Sequence, residues 1–183
     1  MPYFAAMART DIMKILFVCT GNICRSPLAE RMLQNRSDEL GLGLTVSSAG
    51  TRALNGHPMH PESQRVLRQR GLQPGDFVSR MLTESLAVDA DYVLGMTREH
   101  RAFARQLAPV RWRRMFALRE IGAMSTISAT SNVGGAVNPT DERLDIADPI
   151  GQSAAAFDQA GAEIADSVDM LTEWISSQML DRS

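Results

Sequence analysis

Apolar positions fall into short runs separated by longer amphipathic stretches. Residues 12–18 read Ile-Met-Lys-Ile-Leu-Phe-Val, almost continuously apolar, the pattern of a strand covered on both faces in a parallel sheet. The run stops at the loop signal Cys19-Thr20-Gly21-Asn22. Ser26 is a natural cap and Pro27 suits a first helical turn, where its missing N–H costs nothing. A helix follows, with Leu28, Met32, Leu33 and Leu40 at helical spacing and Gly41 and Gly43 ending it. Residues 44–47 predict a second strand, with a turn at Ala49-Gly50-Thr51. A helix is expected over 61–70, stopped by Gly71, and a short one over 83–88. Residues 91–96 predict a third strand, Thr97 the cap of a helix to about 107, and 115–118 a fourth strand. The clearest helix carries Phe157, Gly161, Ile164, Val168, Leu171 and Ile175 on one stripe, with Ser153 as its cap.

Strands alternating with helices imply an α/β sandwich around a four-stranded parallel sheet flanked by helices. A single domain is expected over 12–178, with a flexible N-terminal extension at 1–11 and a C-terminal tail at 179–183. Residues 122–147 have little periodicity. A loop of that length in a compact domain is often functional, and its place before Asp148 suggests a flap, part of it a short helix.

The chain has 183 residues, 19 basic and 21 acidic side chains, and a net charge of −2. It is long enough to bury a core without disulfides or a structural metal. The charge excludes a general nucleic-acid binder. No run reaches the ~18 apolar residues of a membrane span, and the N-terminus lacks the basic start of a signal peptide. A cytoplasmic, reducing location is the resulting expectation. Two cysteines cannot build a four-thiolate zinc site or a disulfide framework. They are Cys19 and Cys24, both inside one short window.

That window reads Cys19-Thr20-Gly21-Asn22-Ile23-Cys24-Arg25-Ser26-Pro27 and joins a buried strand to a helix N-terminus, where an anion is readily held. Gly21 permits a positive φ and Asn22 tolerates it, so successive N–H groups can curl inward. A thiol at the base of such a ring faces donors, a helix dipole and Arg25, all favouring the thiolate. The planar fork of Arg25 can bind two oxygens of a tetrahedral oxyanion at once. Ser26 can donate to the sulfur.

Residues 18–30 closely resemble the signature of low-molecular-weight protein tyrosine phosphatases. The resemblance continues through Ser47-Ser48-Ala49-Gly50-Thr51 and residues 91–97 to Asp148-Pro149. It implies a flavodoxin-like sandwich and hydrolysis of phosphomonoesters through a cysteinyl-phosphate. Cys19 would be the nucleophile, Arg25 the phosphate ligand and Asp148 the general acid. Thr20, Gly21, Asn22, Ile23, Cys24 and Ser26 would form the phosphate-binding loop. Ser48 would support it with Asn22, and Cys24 would be the redox partner of Cys19. Neither metal nor cofactor is needed, since the N–H ring and Arg25 neutralise the phosphate. The implied partners are a phosphorylated protein and a bacterial tyrosine kinase, with the enzyme a monomer or weak dimer.

Some positions depart from the pattern. Ile150 and Gly151 stand where relatives often carry aromatic residues after Asp-Pro. Phe77 stands where eukaryotic members have a histidine supporting Asn22, which leaves that support unsupplied. Arginine-dephosphorylating relatives carry threonine at the position of Ile23, whose apolar side chain favours an aryl phosphate. A protein arginine phosphatase is thus one alternative. A thioredoxin-coupled arsenate reductase is another, but it needs cysteines beyond Cys24. A non-catalytic phosphate-binding module is the third, opposed by the joint presence of Cys19, Arg25 and Asp148. His57, His60 and His100 read as surface residues, and Asp141, Glu142 and Asp145 as solvated charges.

Overall fold

The computed structural model describes residues 12–122 and 138–180. The expectations for the N-terminal extension, for 123–137 of the long loop and for the last residues lie outside the described residues. A four-stranded sheet runs in the order β2-β1-β3-β4, all parallel, with β1 Lys14–Cys19, β2 Thr45–Gly50, β3 Tyr92–Gly95 and β4 Met115–Ala117. Between and after them lie α1 Arg25–Leu40, α2 Pro61–Gln69, α3 Glu84–Asp89, α4 Arg98–Leu107, a 3-10 turn Pro109–Arg114, helical residues 118–122 (α5), a second 3-10 turn Glu142–Leu144 and α6 Ala154–Leu180.

Strand β1 is central, and its alternation builds both layers. Ile15, Phe17 and Cys19 face α1, α2 and α6, packing with Leu28, Leu33, Val66, Ile164 and Leu171. Leu16 and Val18 face the other way, with Val93, Met115, Ala87, Ala104 and Ala108 under α3 and α4. Burial on both faces explains the continuous apolar run, because alternation shows only where one face meets water. The stripe of α6 is buried at Phe157, Ile164, Val168, Leu171 and Ile175. Its Gly161 lies where a Cβ would come within 2.5 Å of Val66 Cγ1, so α2 and α6 approach closely there.

Three local expectations need correction. Helix α1 begins at Arg25 after Cys24, which gives no side-chain cap; the Ser26 hydroxyl is turned to the Cys19 sulfur instead. Strand β2 runs to Gly50, through the expected turn, because Gly50 still pairs with Cys19 and bridges Met81. The positive φ in the loop belongs to Asn22 (55°), not to Gly21. Helices α3 and α4 are capped by Thr83 and Thr97, and part of the long loop is indeed a short helix at Glu142–Leu144. Among the described residues no helix is long and apolar enough to cross a membrane.

Candidate active site

All strands of a parallel sheet present their C-terminal ends on one edge, and the loop after central β1 opens there beside the ends of β2 and β3. Residues 19–25 turn back over that edge into α1. Carbonyls of Cys19 and Thr20 accept from Thr51 and Arg52 N–H (2.9 Å each), and the Ile23 carbonyl accepts from His60 N–H (2.8 Å). Gly50 is required beside it. A Cβ there would sit 2.5 Å from the Thr20 carbonyl oxygen and 2.9 Å from Asn22 N.

Asn22 is wholly buried in the left-handed conformation, and every polar group of its side chain is used. Nδ2 donates to Ser26 Oγ (2.9 Å) and Ser48 Oγ (2.8 Å), while Oδ1 accepts from Arg80 N–H (2.8 Å). This corrects the expectation drawn from Phe77. The backbone of Arg80 supplies the support, and Phe77 packs in the core. Ser48 Oγ in turn donates a hydrogen bond to Glu30 Oε2 (2.6 Å). Burial pushes the Glu30 carboxyl up, opposed by that bond from Ser48.

The sulfur of Cys19 accepts from Asn22 N–H (3.2 Å) and lies 2.9 Å from Ser26 Oγ. Because Ser26 Oγ already accepts from Asn22, its proton is free to be donated to the sulfur. Cys24 is buried too, and both cysteines are free thiols. Burial pushes the Cys24 thiol up to about 12, so it is protonated at neutral pH.

Arg25 is only 3% exposed. Its Nη1 donates to the Ile146 carbonyl (2.9 Å), and Nη2 lies 2.5 Å from Asp148 Oδ2. Its Nε is buried with no hydrogen-bond partner among the described residues. A buried guanidinium with an unused donor suits an incoming anion. Asp148 is about half exposed at the mouth, its Oδ1 accepting from Ile150 N–H (3.1 Å). A cleft of about 500 Å³ opens between Thr20, Arg25, His100, Asp145 and Asp148.

The family model for low molecular weight phosphotyrosine protein phosphatases matches residues 14–181. The chain belongs to that family. The probable low molecular weight protein-tyrosine-phosphatase EpsP of Ralstonia nicotianae is 32% identical over 158 residues, 86% of this chain and 92% of the relative. The protein-arginine-phosphatase of Geobacillus stearothermophilus is 30% identical over 165 residues, 90% of this chain and 97% of its own. Vibrio vulnificus Wzb in complex with benzylphosphonate superposes with a TM-score of 0.70 at 29% identity, covering 88% of this chain and 98% of that one.

The structure of this phosphatase-family member therefore gathers Cys19, Arg25, Ser26, Asn22, Ser48 and the distant Asp148 at one sheet edge. It also adds residues that sequence reasoning missed. His100 is not a surface residue; it is 5% exposed and reaches Thr20. The signal was its place three residues after the Thr97 cap, on the same sheet edge as the loop. His60 is partly buried, its ring stacked on Phe157 at 4.8 Å and its Nδ1 accepting from Glu62 N–H. His57 is exposed as expected. Asp145 is no free charge. It accepts from the backbone N–H, Nε and Nη2 of Arg98, tying the segment before Asp148 to the start of α4. Burial works against its ionised form, but the bonds from Arg98 prevail and hold its carboxyl below the usual range. Asp141 caps the second 3-10 turn and pairs with Arg143, and Glu142 stays exposed. Ile23 is half-buried in the loop and packs against the core, and Ile150, two residues after Asp148, is 46% exposed.

Proposed function

We propose that this phosphatase hydrolyses an aryl phosphomonoester of a phosphorylated protein, with Cys19, Arg25 and Asp148 in the three chemical roles. The Cys19 thiolate attacks phosphorus in line, and the S–P bond forms as the bond to the leaving oxygen breaks. Arg25 and the loop N–H groups hold the equatorial oxygens, where charge is spread in the transition state. Protonated Asp148 donates to the leaving oxygen; its carboxylate then takes a proton from the water that hydrolyses the cysteinyl-phosphate.

One observation carries the reading: the Asp148 carboxylate rests 2.5 Å from Nη2 of Arg25, across 123 residues of sequence. An arriving phosphate dianion competes for the same guanidinium. It takes Arg25 and frees the Asp148 carboxyl to face the leaving oxygen. Ile23 supports an aryl group over a guanidino phosphate, because an apolar side chain in the loop offers no hydrogen bond to guanidinium N–H. Cys24 is proposed as the partner of Cys19 in a protective disulfide.

The test is a leaving-group series of aryl phosphates with wild type, Cys19→Ser and Asp148→Asn. Cys19→Ser should abolish turnover while the protein stays folded. Asp148→Asn should slow cysteinyl-phosphate formation by about 100-fold with poor leaving groups and far less with good ones. Equal slowing across the series would remove Asp148 as the acid. Faster phosphate release from phosphoarginine than from phosphotyrosine would make arginine the substrate class.

A further inference from the structure

The sulfur, guanidinium and carboxyl do not account for a buried imidazole in the wall of the cleft. His100 stands in the first turn of α4, and both ring nitrogens are engaged. Nδ1 lies 2.8 Å from Thr97 Oγ1, and Nε2 lies 3.0 Å from Thr20 Oγ1. Thr20 immediately follows Cys19 and lines the cleft together with Arg25 and Asp148.

Counting protons assigns the direction of this chain. Thr97 Oγ1 accepts the backbone N–H of His100 (3.3 Å) as the helix cap. Its own hydroxyl proton can then go to Nδ1, an acceptor 2.8 Å away. Burial, reinforced by the charge of Arg25, pushes the His100 imidazolium down to about 4, so the ring is neutral at neutral pH and carries one proton. With Nδ1 accepting, that proton is on Nε2 and points at Thr20 Oγ1. Thr20 therefore does not spend its hydroxyl proton on the ring. In the opposite tautomer Thr97 Oγ1 would receive two donors and leave its own proton to the solvent of the cleft, and Thr20 would give its proton to Nε2.

Building on the phosphatase reading, we infer that His100 is a positioning residue: its Nε2–H donates to Thr20 Oγ1 and thereby leaves the Thr20 hydroxyl to donate into the cleft, to the leaving-group side of the bound phosphomonoester. Thr20 and Asp148 both line that cleft. The hydroxyl becomes a second, fixed donor in the cleft that holds the acid, for an oxygen that gains negative charge as the ester bond breaks. Such a bond is stronger in the transition state than in the ground state, so its loss falls on kcat rather than KM.

The experiment measures aryl phosphate turnover by wild type, Thr20→Val, Thr20→Ser, His100→Asn, His100→Gln and the Thr20→Val/His100→Asn double variant, with thermal melts on each. Removing the hydroxyl in Thr20→Val should lower kcat by about 10-fold with KM nearly constant. Thr20→Ser should recover most of that loss. His100→Asn, too short to reach Thr20, should fall by a similar factor, while His100→Gln, whose amide nitrogen reaches the place of Nε2, should recover. The double variant should be no slower than the slower single one, because both remove the same interaction. A purely structural His100 would instead lower the melting temperature without this rescue pattern. Native kcat in Thr20→Val, or losses that multiply to about 100-fold in the double variant, would overturn the inference. So would a ring nitrogen NMR spectrum showing the proton of His100 on Nδ1, a readout that needs no activity. Failure of wild type to release phosphate from any aryl ester would strike the underlying phosphatase reading; turnover by wild type with an indifferent Thr20→Val strikes this inference alone.

Discussion

Asn22 is the residue on which the loop's shape depends most, and its replacement separates two physical contributions. In Asn22→Ala the bonds to Ser26 (2.9 Å), Ser48 (2.8 Å) and Arg80 N–H (2.8 Å) all disappear. At about 1 kcal/mol net for each, this costs about 3 kcal/mol. Alanine must also hold the left-handed φ of 55°, which adds about 1 kcal/mol or more. Asn22→Ala should therefore lose about 4 kcal/mol, a large share of the ~5–15 kcal/mol that stabilises a domain. Asn22→Gly loses the same bonds but adopts a positive φ without strain, so it should be about 1 kcal/mol more stable than the alanine variant. Urea unfolding followed by circular dichroism gives both values, and constant m-values would confirm that the folded state is the one perturbed. If Asn22→Gly unfolds at the wild-type midpoint, the bonds contribute nothing and the reasoning about the loop fails. If alanine is the more stable of the two, the strain argument fails.

His100 also makes stability depend on pH. Its folded value, about 4, lies below its ordinary value of 6.5, so the unfolded chain binds more protons in between and stability falls as pH drops through that window. The full effect is about 3 kcal/mol, read as the difference between urea unfolding of wild type and of His100→Gln at pH 7 and pH 4; equal pH dependence in the two proteins would refute it. Peroxide should oxidise Cys19 to a sulfenic acid, which condenses with the Cys24 thiol to a disulfide and releases water. Because Cys24 is held as the thiol, closure should accelerate as pH rises. Cys24→Ser should fail to recover activity with dithiothreitol after peroxide, and full recovery would remove the protective role.

Much of the architecture was legible in the sequence because strands and helices are encoded by local period. The unbroken run before Cys19 pointed to a central strand, and the stripe from Phe157 to Ile175 to a helix against the sheet; both are so in the structure. Short elements were less legible. Helix α1 starts two residues early and β2 runs into its expected turn, since Ser26 and Gly50 answer to the loop rather than to their own segments. The chemistry of the loop was readable for a similar reason: a thiol, an arginine and a helix start lie within a few residues of each other.

Sequence by itself determined the main element types and the parallel α/β class, and it singled out the loop from Cys19 to Ser26 as the candidate site. Tertiary structure alone decided which atoms of distant residues meet there, and it added Arg80, Glu30 and His100, which the sequence reading had not placed at the site. Asn22 finds Arg80 across 58 residues, Thr20 finds His100 across 80, and Arg25 finds Asp148 across 123. None of these pairs has a spacing or a period to reveal it. They meet because parallel strands present every C-terminal loop on one edge, and because a buried polar group there must take whichever partner that edge brings within reach. For that reason a histidine that reads as a surface residue ends with both ring nitrogens bonded beside the candidate nucleophile.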